Sequence, residues 1–292
     1  MSKVSAHNKV KTWIQLYDRL GRQSLSKTKE SRIVLKNKDG SFSPLVLKYD
    51  EKYKRKVIII MHWAVSDMHG YYSFYTQVKD LITSEDKVIC LGDCGDRGPQ
   101  SWKTIKAVLS DPQFVLLKGN HEDMLAKALR SYLTDDRDFM YDYNVRLCWS
   151  NGGKSTFFDA SNEDDPWGVV KVLEKLPIEY YYTNSSGKKI ALCHAGFTPG
   201  TIWRTEEARV KDLIWNREHF FDSWVETNDY DIIIHGHTPI PFNFVDDDKF
   251  DGSPYTYCDG HKINIDAGSY YSKKGILFNL DTCESICFEL TN

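Results

Sequence analysis

No stretch of this sequence is apolar for long enough to cross a bilayer. The longest nearly apolar run, Val57–Val65, falls well short of the roughly 20 residues a spanning helix needs. Cysteine supplies no framework either: the seven cysteines are odd in number, scattered, and never in a C-x-x-C pair. That argues against a disulfide-stapled secreted scaffold and for reduced thiols. Charges interrupt the first apolar cluster, so no signal peptide is expected. Internal repeats and low-complexity tracts are lacking as well. A soluble cytoplasmic protein with no membrane partner is the expectation.

What the chain does have is an uneven charge. Its 292 residues allow one large domain or two small ones. Residues 1–56 hold 15 Lys and Arg against 5 Asp and Glu, a net of +10, so residues 57–292 carry −13. Within the basic segment, Val10, Trp13, Ile14, Tyr17 and Leu20 form one stripe, which predicts an amphipathic helix over 8–22. Polar residues 23–30 read as a linker. Two apolar runs, Ile33–Leu35 and Leu45–Leu47, flank Asp39-Gly40 and predict a hairpin. Residues 1–56 are therefore expected to be a basic N-terminal accessory arm, and residues 57–292 the main domain. Trp13, Tyr17 and Tyr53 lie among the basic residues, so the arm is a candidate for contact with a polyanion, the plainer alternative being a solvated basic face.

From Lys56 onward, apolar runs alternate with helical stretches. Strands are expected at Val57–Val65, Val88–Leu91 and Phe114–Leu117, with helices near 72–82 and 101–110. The alternation predicts βαβ units, a largely parallel sheet and an α/β fold. Residues 122–182 lack strand patterns and read as a helical insertion with a loop at Ser150–Gly153. Strand signals return at Ile190–Cys193, Ile232–Ile234, Ile263–Ile265 and Ile276–Leu280, the last pairing with Ser285–Leu290 as a hairpin. The acidic stretch 246–251 reads as a solvated loop.

Chemistry gathers at the ends of five of these runs. Val57–Val65 is followed by Ser66-Asp67-Met68-His69-Gly70, and Val88–Leu91 by Gly92-Asp93-Cys94-Gly95-Asp96-Arg97-Gly98. Phe114–Leu117 leads into Lys118-Gly119-Asn120-His121-Glu122, Ile190–Cys193 into His194-Ala195-Gly196, and Ile232–Ile234 into His235-Gly236-His237-Thr238-Pro239. Buried polar groups are costly unless paired, so five such ends in one chain call for a ligand. Oxygen and imidazole donors without thiolates suit Mn, Fe or Zn. There are more donors than one tetrahedral ion takes, which predicts two metals sharing a carboxylate, with Asp93 in the most constrained loop as the bridge. Planar guanidinium forks suit phosphate oxygens. Cys94 is expected to be a spacer and His235 structural.

Taken in order, SDMHG, GDCGDRG, GNHE, HAG and GHTP resemble the signature of the PPP-type metallophosphoesterases over residues 57–292. That family includes Ser/Thr protein phosphatases, their bacterial and phage relatives, and symmetrical diadenosine tetraphosphatases. The resemblance implies a calcineurin-like β-sandwich flanked by helices (αββα). It implies one metal on Asp67, His69 and Asp93, and a second on Asp93, Asn120, His194 and His237. It further makes His121 the general acid, oriented by Asp96, with Arg97, Arg217 and Asn120 binding the phosphate. Hydrolysis would then proceed by direct attack of a hydroxide bridging the metals, manganese being the expected pair with iron or zinc as alternatives. Ser66, Gly95, Lys118 and the INIDAGSYY segment depart from the eukaryotic pattern and, with the NGG loop, lean towards the bacterial or phage branch.

A phosphoprotein is the substrate expected on this reading. The alternatives are a dinucleoside polyphosphate, hydrolysed on the same metal core, and a nucleic-acid phosphoester recruited by the basic arm. The aromatic residues of the insertion, Tyr132, Tyr141, Tyr143, Trp149 and Trp167, either form a core or stack a base.

Overall fold

The computed structural model of the chain describes three strands between Glu30 and Ile58, residues 60–134, and residues 139–291. The predicted helix over 8–22, residues 23–29 of the predicted linker, and Trp13, Tyr17 and Tyr53 lie outside the described residues. Two compact units result, Met1–Ile60 with Lys79–Ser84, and Met61–Val78 with Glu85–Asn292. Among the described residues no helix is long and apolar enough to cross a membrane.

In the first unit, β1 (Glu30–Lys36), β2 (Phe42–Asp50) and β3 (Arg55–Ile58) form an antiparallel sheet in the order β1-β2-β3. The predicted hairpin is its first pair, with Lys36 opposite Phe42. The predicted single strand Val57–Val65 is in fact two. Its first part, ending at Ile58, pairs with Leu47 of β2, while β4 (His62–Val65) belongs to the second unit. An unbroken apolar run carries no turn residue to mark such a change of partner.

The second unit holds two five-stranded sheets. One has the order β13-β12-β4-β5-β6, the other β10-β11-β9-β8-β7. In the first, β4, β5 (Lys87–Cys90) and β6 (Phe114–Leu116) run parallel, and β12 (Lys274–Asn279) and β13 (Ser285–Glu289) close the edge antiparallel. In the second, β8 (Lys189–Cys193), β9 (Ile232–His235) and β11 (Lys262–Asn264) are parallel, with β7 (Glu179–Thr183) and β10 (Tyr255–Tyr257) antiparallel on the rims. The expectation of one largely parallel sheet is corrected to two mixed sheets with parallel centres.

Alternation along the strands builds the core. Ile89 and Leu91, Ile190 and Leu192, Ile232 and Ile234, Ile263 and Ile265, and Ile276 and Phe278 point to one cluster between the sheets. Successive side chains of a strand point to opposite faces, so each pair of alternate residues shares the inner face. Fully burying such a side chain contributes about 1.5–3 kcal/mol. The outer faces take helices. Phe74 of α1 (Tyr72–Leu81) lies against Gly275 of β12, where a Cβ would approach its ring to 2.7 Å. Across the other sheet, Ala191, Cys193 and Ile233 pack with Leu213, which belongs to a helix over Glu206–Trp215. This is a sandwich flanked by helices.

The helix α2 (Ser101–Ser110) precedes β6. The insertion follows as α3 (Asn120–Thr134), α4 (Tyr143–Cys148), α5 (Lys154–Ser161) and α6 (Pro166–Glu174), and Glu206–Trp215 is α7. The insertion ends earlier than expected, because Glu179–Thr183 is a strand. Tyr180 and Tyr182 pack on the core and Tyr181 points outward, an alternation within an aromatic run.

Candidate metal centre and phosphate cleft

The parallel strands β4, β5 and β6 deliver Asp67, His69, Asp93, Asn120 and His121 at their carboxyl ends, and β8 and β9 deliver His194 and His237 from the facing sheet. The loops after β4 and β5 stay joined beyond the sheet: Asp67 donates its N–H to Gly92, His69 to Asp93 and Gly70 to Cys94, at 2.8–3.2 Å. Gly92 at φ 109° permits this approach, since a Cβ there would stand 2.5 Å from Gly119 N. Asp67, His69, Asp93, Asp96, Arg97 and His237 all have φ between 42° and 67°. Asp, Asn and His are the residues that best tolerate that region, and such strain clusters at functional sites.

His194 and His69 each donate Nδ1–H to a backbone carbonyl, Leu91 and Gly95 respectively, at 3.0 Å. That hydrogen bond fixes the tautomer and turns each Nε2 lone pair inward. Around His194 Nε2 stand Asn120 Oδ1 at 2.9 Å, His237 Nδ1 at 3.1 Å and Asp93 Oδ2 at 3.4 Å. His237 Nδ1 lies 3.0 Å from Asn120 Oδ1, while its buried Nε2 has no partner. Asp93 Oδ2 is also 3.9 Å from His69 Nε2, which lies 4.0 Å from Asp67 Oδ1. Asp93 thus borders both donor groups, those of His69, Asp93 and His121 and of Asp93, His194 and His237, in which the donor atoms of each lie within 4.8 Å of one another.

The field at this cluster favours a cation. Burial would lower the His194 pKa, but the carboxylates of Asp93, Asp67 and Glu122 prevail and raise it to about 10. Burial opposes ionisation of Asp93 as well, and His194, His121 and His69 overcome it, holding its carboxyl well below the usual range. Asp67 is shifted up by burial and by Asp93. Oxygen and imidazole donors converging in a negative field fit divalent ions of the Mn, Fe or Zn kind.

Beside the cluster, His121 donates Nδ1–H to Asp96 Oδ2 at 2.6 Å. Burial would lower His121, whereas Asp93 and Asp96 raise it above the ordinary value. Arg97 forks between two imidazoles, Nη1 donating to His69 Nε2 at 2.8 Å and Nη2 to His121 Nε2 at 2.9 Å. Arg217 donates to Thr238 Oγ1 at 3.1 Å. A cleft of about 320 Å³ brings Asp93, Arg97, Asn120, His121, Arg217 and His237 together, and its walls include Asn151 and the aromatic side chains of Trp215, Phe242 and Tyr271.

Residues 61–272 match the calcineurin-like phosphoesterases. The chain belongs to this family. The family is one of metal-dependent phosphoesterases that work with two metal ions, and the donor groups around Asp93 fit such a pair. This phosphoesterase is similar to serine/threonine-protein phosphatase 2 of Escherichia coli (strain K12), with 28% identity over 158 residues, 52% of this chain and 66% of that protein. The match therefore spans just under two thirds of the relative's length. Among solved structures, a putative diadenosine tetraphosphatase superposes with a TM-score of 0.50 at 16% identity, covering 79% of this chain and 94% of its own. A protein serine/threonine phosphatase from Saccharomyces cerevisiae, with similarity to human phosphatase PP5, gives 0.51 at 13% identity, covering 80% and 81%. At these identities the likeness is one of fold.

Several residues of the phosphoesterase site had no role in the sequence reading. Glu122 is fully buried and its carboxylate accepts from the N–H groups of Asp93, Cys94 and Gly119 at 2.8–3.0 Å. Burial and Asp93 raise its pKa to about 7. Its place in the first turn of α3, where carboxylates are favoured, was the available signal. Asp266, at the end of β11, is buried near Asp67 and accepts from Gly268 N at 2.8 Å. The aromatic walls of the cleft are Trp215, Phe242 and Tyr271, far along the chain from the insertion. Tyr132 and Trp149 of the insertion instead pack with Phe139 and Phe157, ring to ring at 5.0–6.1 Å. Trp167 lies under Arg130, and Tyr141 and Tyr143 are exposed.

Proposed function

We propose that this phosphoesterase removes phosphate from serine and threonine residues of proteins. The observation that carries the reading is the sharing of one cleft by a two-ion donor cluster, two guanidiniums and a carboxylate-backed imidazole. Asp67, His69 and Asp93 would hold one ion, and Asp93, Asn120, His194 and His237 the other, with manganese the expected metal. When bound, such a pair supplies Lewis acidity to the phosphoryl oxygens and makes water acidic enough to attack at neutral pH.

The remaining work falls to the chain. Arg97 and Arg217 neutralise charge on the equatorial oxygens as it develops. Asn120 adds a polar contact on the same side of the cleft. His121, held by Asp96 through Nδ1, accepts from Arg97 at Nε2 in this arrangement; once substrate draws Arg97 onto the phosphate, a proton taken up at Nε2 would be delivered to the departing oxygen. The thiol of Cys94 is no rival nucleophile, because burial and Cys90 push its pKa well up. The serine/threonine-protein phosphatase relative supports a phosphoprotein substrate. The seven free cysteines suit a cytoplasmic setting, and the +10 of residues 1–56 suits polyanion recruitment by an accessory arm beside a catalytic domain at 57–292.

A second reading, hydrolysis of dinucleoside polyphosphates, is favoured by the aromatic walls of the cleft, which could seat a base. The two separate on kcat/KM for a phosphoserine or phosphothreonine peptide against diadenosine tetraphosphate at equal Mn²⁺. The peptide is expected to be preferred. A roughly hundredfold preference for the tetraphosphate, about 2.7 kcal/mol of transition-state discrimination, would establish the second reading instead.

A further inference from the structure

The helix α4 ends in a feature that the chemistry above does not use. It runs into a π-turn over Trp149–Gly153, and α5 continues directly from it. Such wide turns are uncommon and tend to occur at functional sites. In this turn Gly152 has φ 91° and ψ 11°, and its carbonyl accepts the Arg97 N–H at 3.1 Å. A Cβ on Gly152 would come within 2.9 Å of Arg97 Cγ, and within 3.5 Å of its Cα and N. A Cβ on Gly153 would stand 2.8 Å from Asp96 Oδ2 and 2.6 Å from Cys148 Sγ. Two consecutive glycines thus face two consecutive site residues, one each.

We propose that Gly152 and Gly153 are positioning residues, the first for phosphate capture by Arg97 and the second for proton delivery through Asp96 and His121. The proposal rests on the roles assigned to those three residues above. Asp96 and Arg97 sit at φ 67° and 65°, a backbone state that side chains other than glycine hold only when their surroundings dictate it. The π-turn supports it here at Arg97, whose N–H it accepts at 3.1 Å. It also leaves a gap, with no Cβ, into which the Arg97 stem and the Asp96 carboxylate fit. The turn is itself held firmly: Trp149 packs on Phe157 and Phe158, and Asn151 Nδ2 donates to Leu147 O at 2.8 Å. The insertion is by this argument part of the catalytic machinery, since it sets where one guanidinium and one carboxylate stand.

The two glycines should fail in different ways, and a merely structural role would not separate them. In the full-length, Mn²⁺-loaded enzyme, Gly152→Ala is expected to weaken inorganic phosphate, titrated calorimetrically, about tenfold, to raise KM for p-nitrophenyl phosphate alike, and to lower kcat by the same factor on p-nitrophenyl phosphate and on a phosphoserine peptide. Gly153→Ala is expected to leave phosphate affinity intact. It should instead lower kcat about tenfold more on a phosphoserine peptide than on p-nitrophenyl phosphate, whose departing oxygen needs less protonation. Gly187→Ala is the control, because Gly187 has φ 85° with nothing within 4 Å of a Cβ. It should show neither pattern. In a double-mutant cycle, Gly152→Ala should add nothing to the phosphate-binding loss of Arg97→Ala. Equal losses at both glycines on every substrate, or additivity with Arg97→Ala, would overturn the proposal. If Gly152→Ala does not fold, Gly152→Asn carries a Cβ into the same gap with a residue that tolerates left-handed backbone. An Arg97→Ala enzyme with normal phosphate affinity would refute the underlying role of Arg97, which separates that failure from failure of the glycine assignment.

Discussion

His121 and Asp96 show how far a single pair of side chains can be reasoned. The 2.6 Å bond commits the Nδ1 proton to the carboxylate and leaves Nε2 facing the cleft beside Arg97. His121→Asn should therefore keep both metals and slow hydrolysis by about 10²–10⁴-fold. The loss should be smaller for p-nitrophenyl phosphate than for alkyl phosphates, and an equal loss on both would remove His121 as proton donor. His219 poses the opposite case. It is buried, donates Nε2–H to Ala195 O at 2.7 Å and leaves Nδ1 without a partner. Burial first, then His235 and Lys262, hold its pKa at about 2. The unfolded chain binds that proton near pH 6.5, so the contribution of neutral His219 is complete above 6.5 and is lost as pH falls towards 2. The expected slope is at most about 1.4 kcal/mol per pH unit in that window. Thermal melts at pH 7.5 and 5.0 should show a smaller acid loss in His219→Gln than in the wild-type chain. An identical loss in both would mean that other groups carry the acid sensitivity.

At the scale of elements, the loop after β5 is held from below by the first turn of α3. Glu122 gathers the amides of Asp93, Cys94 and Gly119, which fixes the carboxylate that both donor groups share. Glu122→Gln sets an amide N–H against a backbone N–H, and an unsatisfied buried group costs about 1–3 kcal/mol. The variant should melt lower and retain less metal after gel filtration, as read by elemental analysis. Full retention of metal would confine Glu122 to stability alone. The elements that carry the site were legible in the sequence because each is punctuated. Val88–Leu91 stops at a glycine, Ser101–Ser110 is a helix as the pattern predicts, and the hairpin of β12 and β13 turns at Asp281 to Glu284. Where punctuation is lacking the reading failed. Val57–Val65 concealed a change of sheet, and β7 was absorbed into the insertion because three adjacent tyrosines mask an alternation of two. The walls Trp215, Phe242 and Tyr271 were illegible for another reason: only the fold brings residues so distant in sequence to one cleft.

For the sandwich as a whole, the donor set is divided between its two sheets. Asp67, His69, Asp93 and Asn120 come from the β4, β5 and β6 side, His194 and His237 from the β8 and β9 side. Besides the core, a few hydrogen bonds join the sheets at this end, among them His237 N–H to Asp67 Oδ2 at 3.1 Å and His194 Nδ1–H to Leu91 O at 3.0 Å. Ions bound here would act as staples between the layers, and whatever binds only the folded state stabilises it. At a hundredfold excess over Kd a single site contributes about 2.7 kcal/mol. For a domain of this size that corresponds to a rise in Tm of roughly 5–10 °C. The expected result is a Tm that falls on treatment with a chelator and recovers with added Mn²⁺. Asp93→Asn removes the carboxylate that borders both donor groups, so its Tm should respond to Mn²⁺ by less than half as much, and elemental analysis should find both sites depleted. A wild-type Tm indifferent to Mn²⁺, with metal demonstrably bound, would show that the ions do not join the sheets. An Asp93→Asn chain that still binds two ions would take the bridging role away from Asp93.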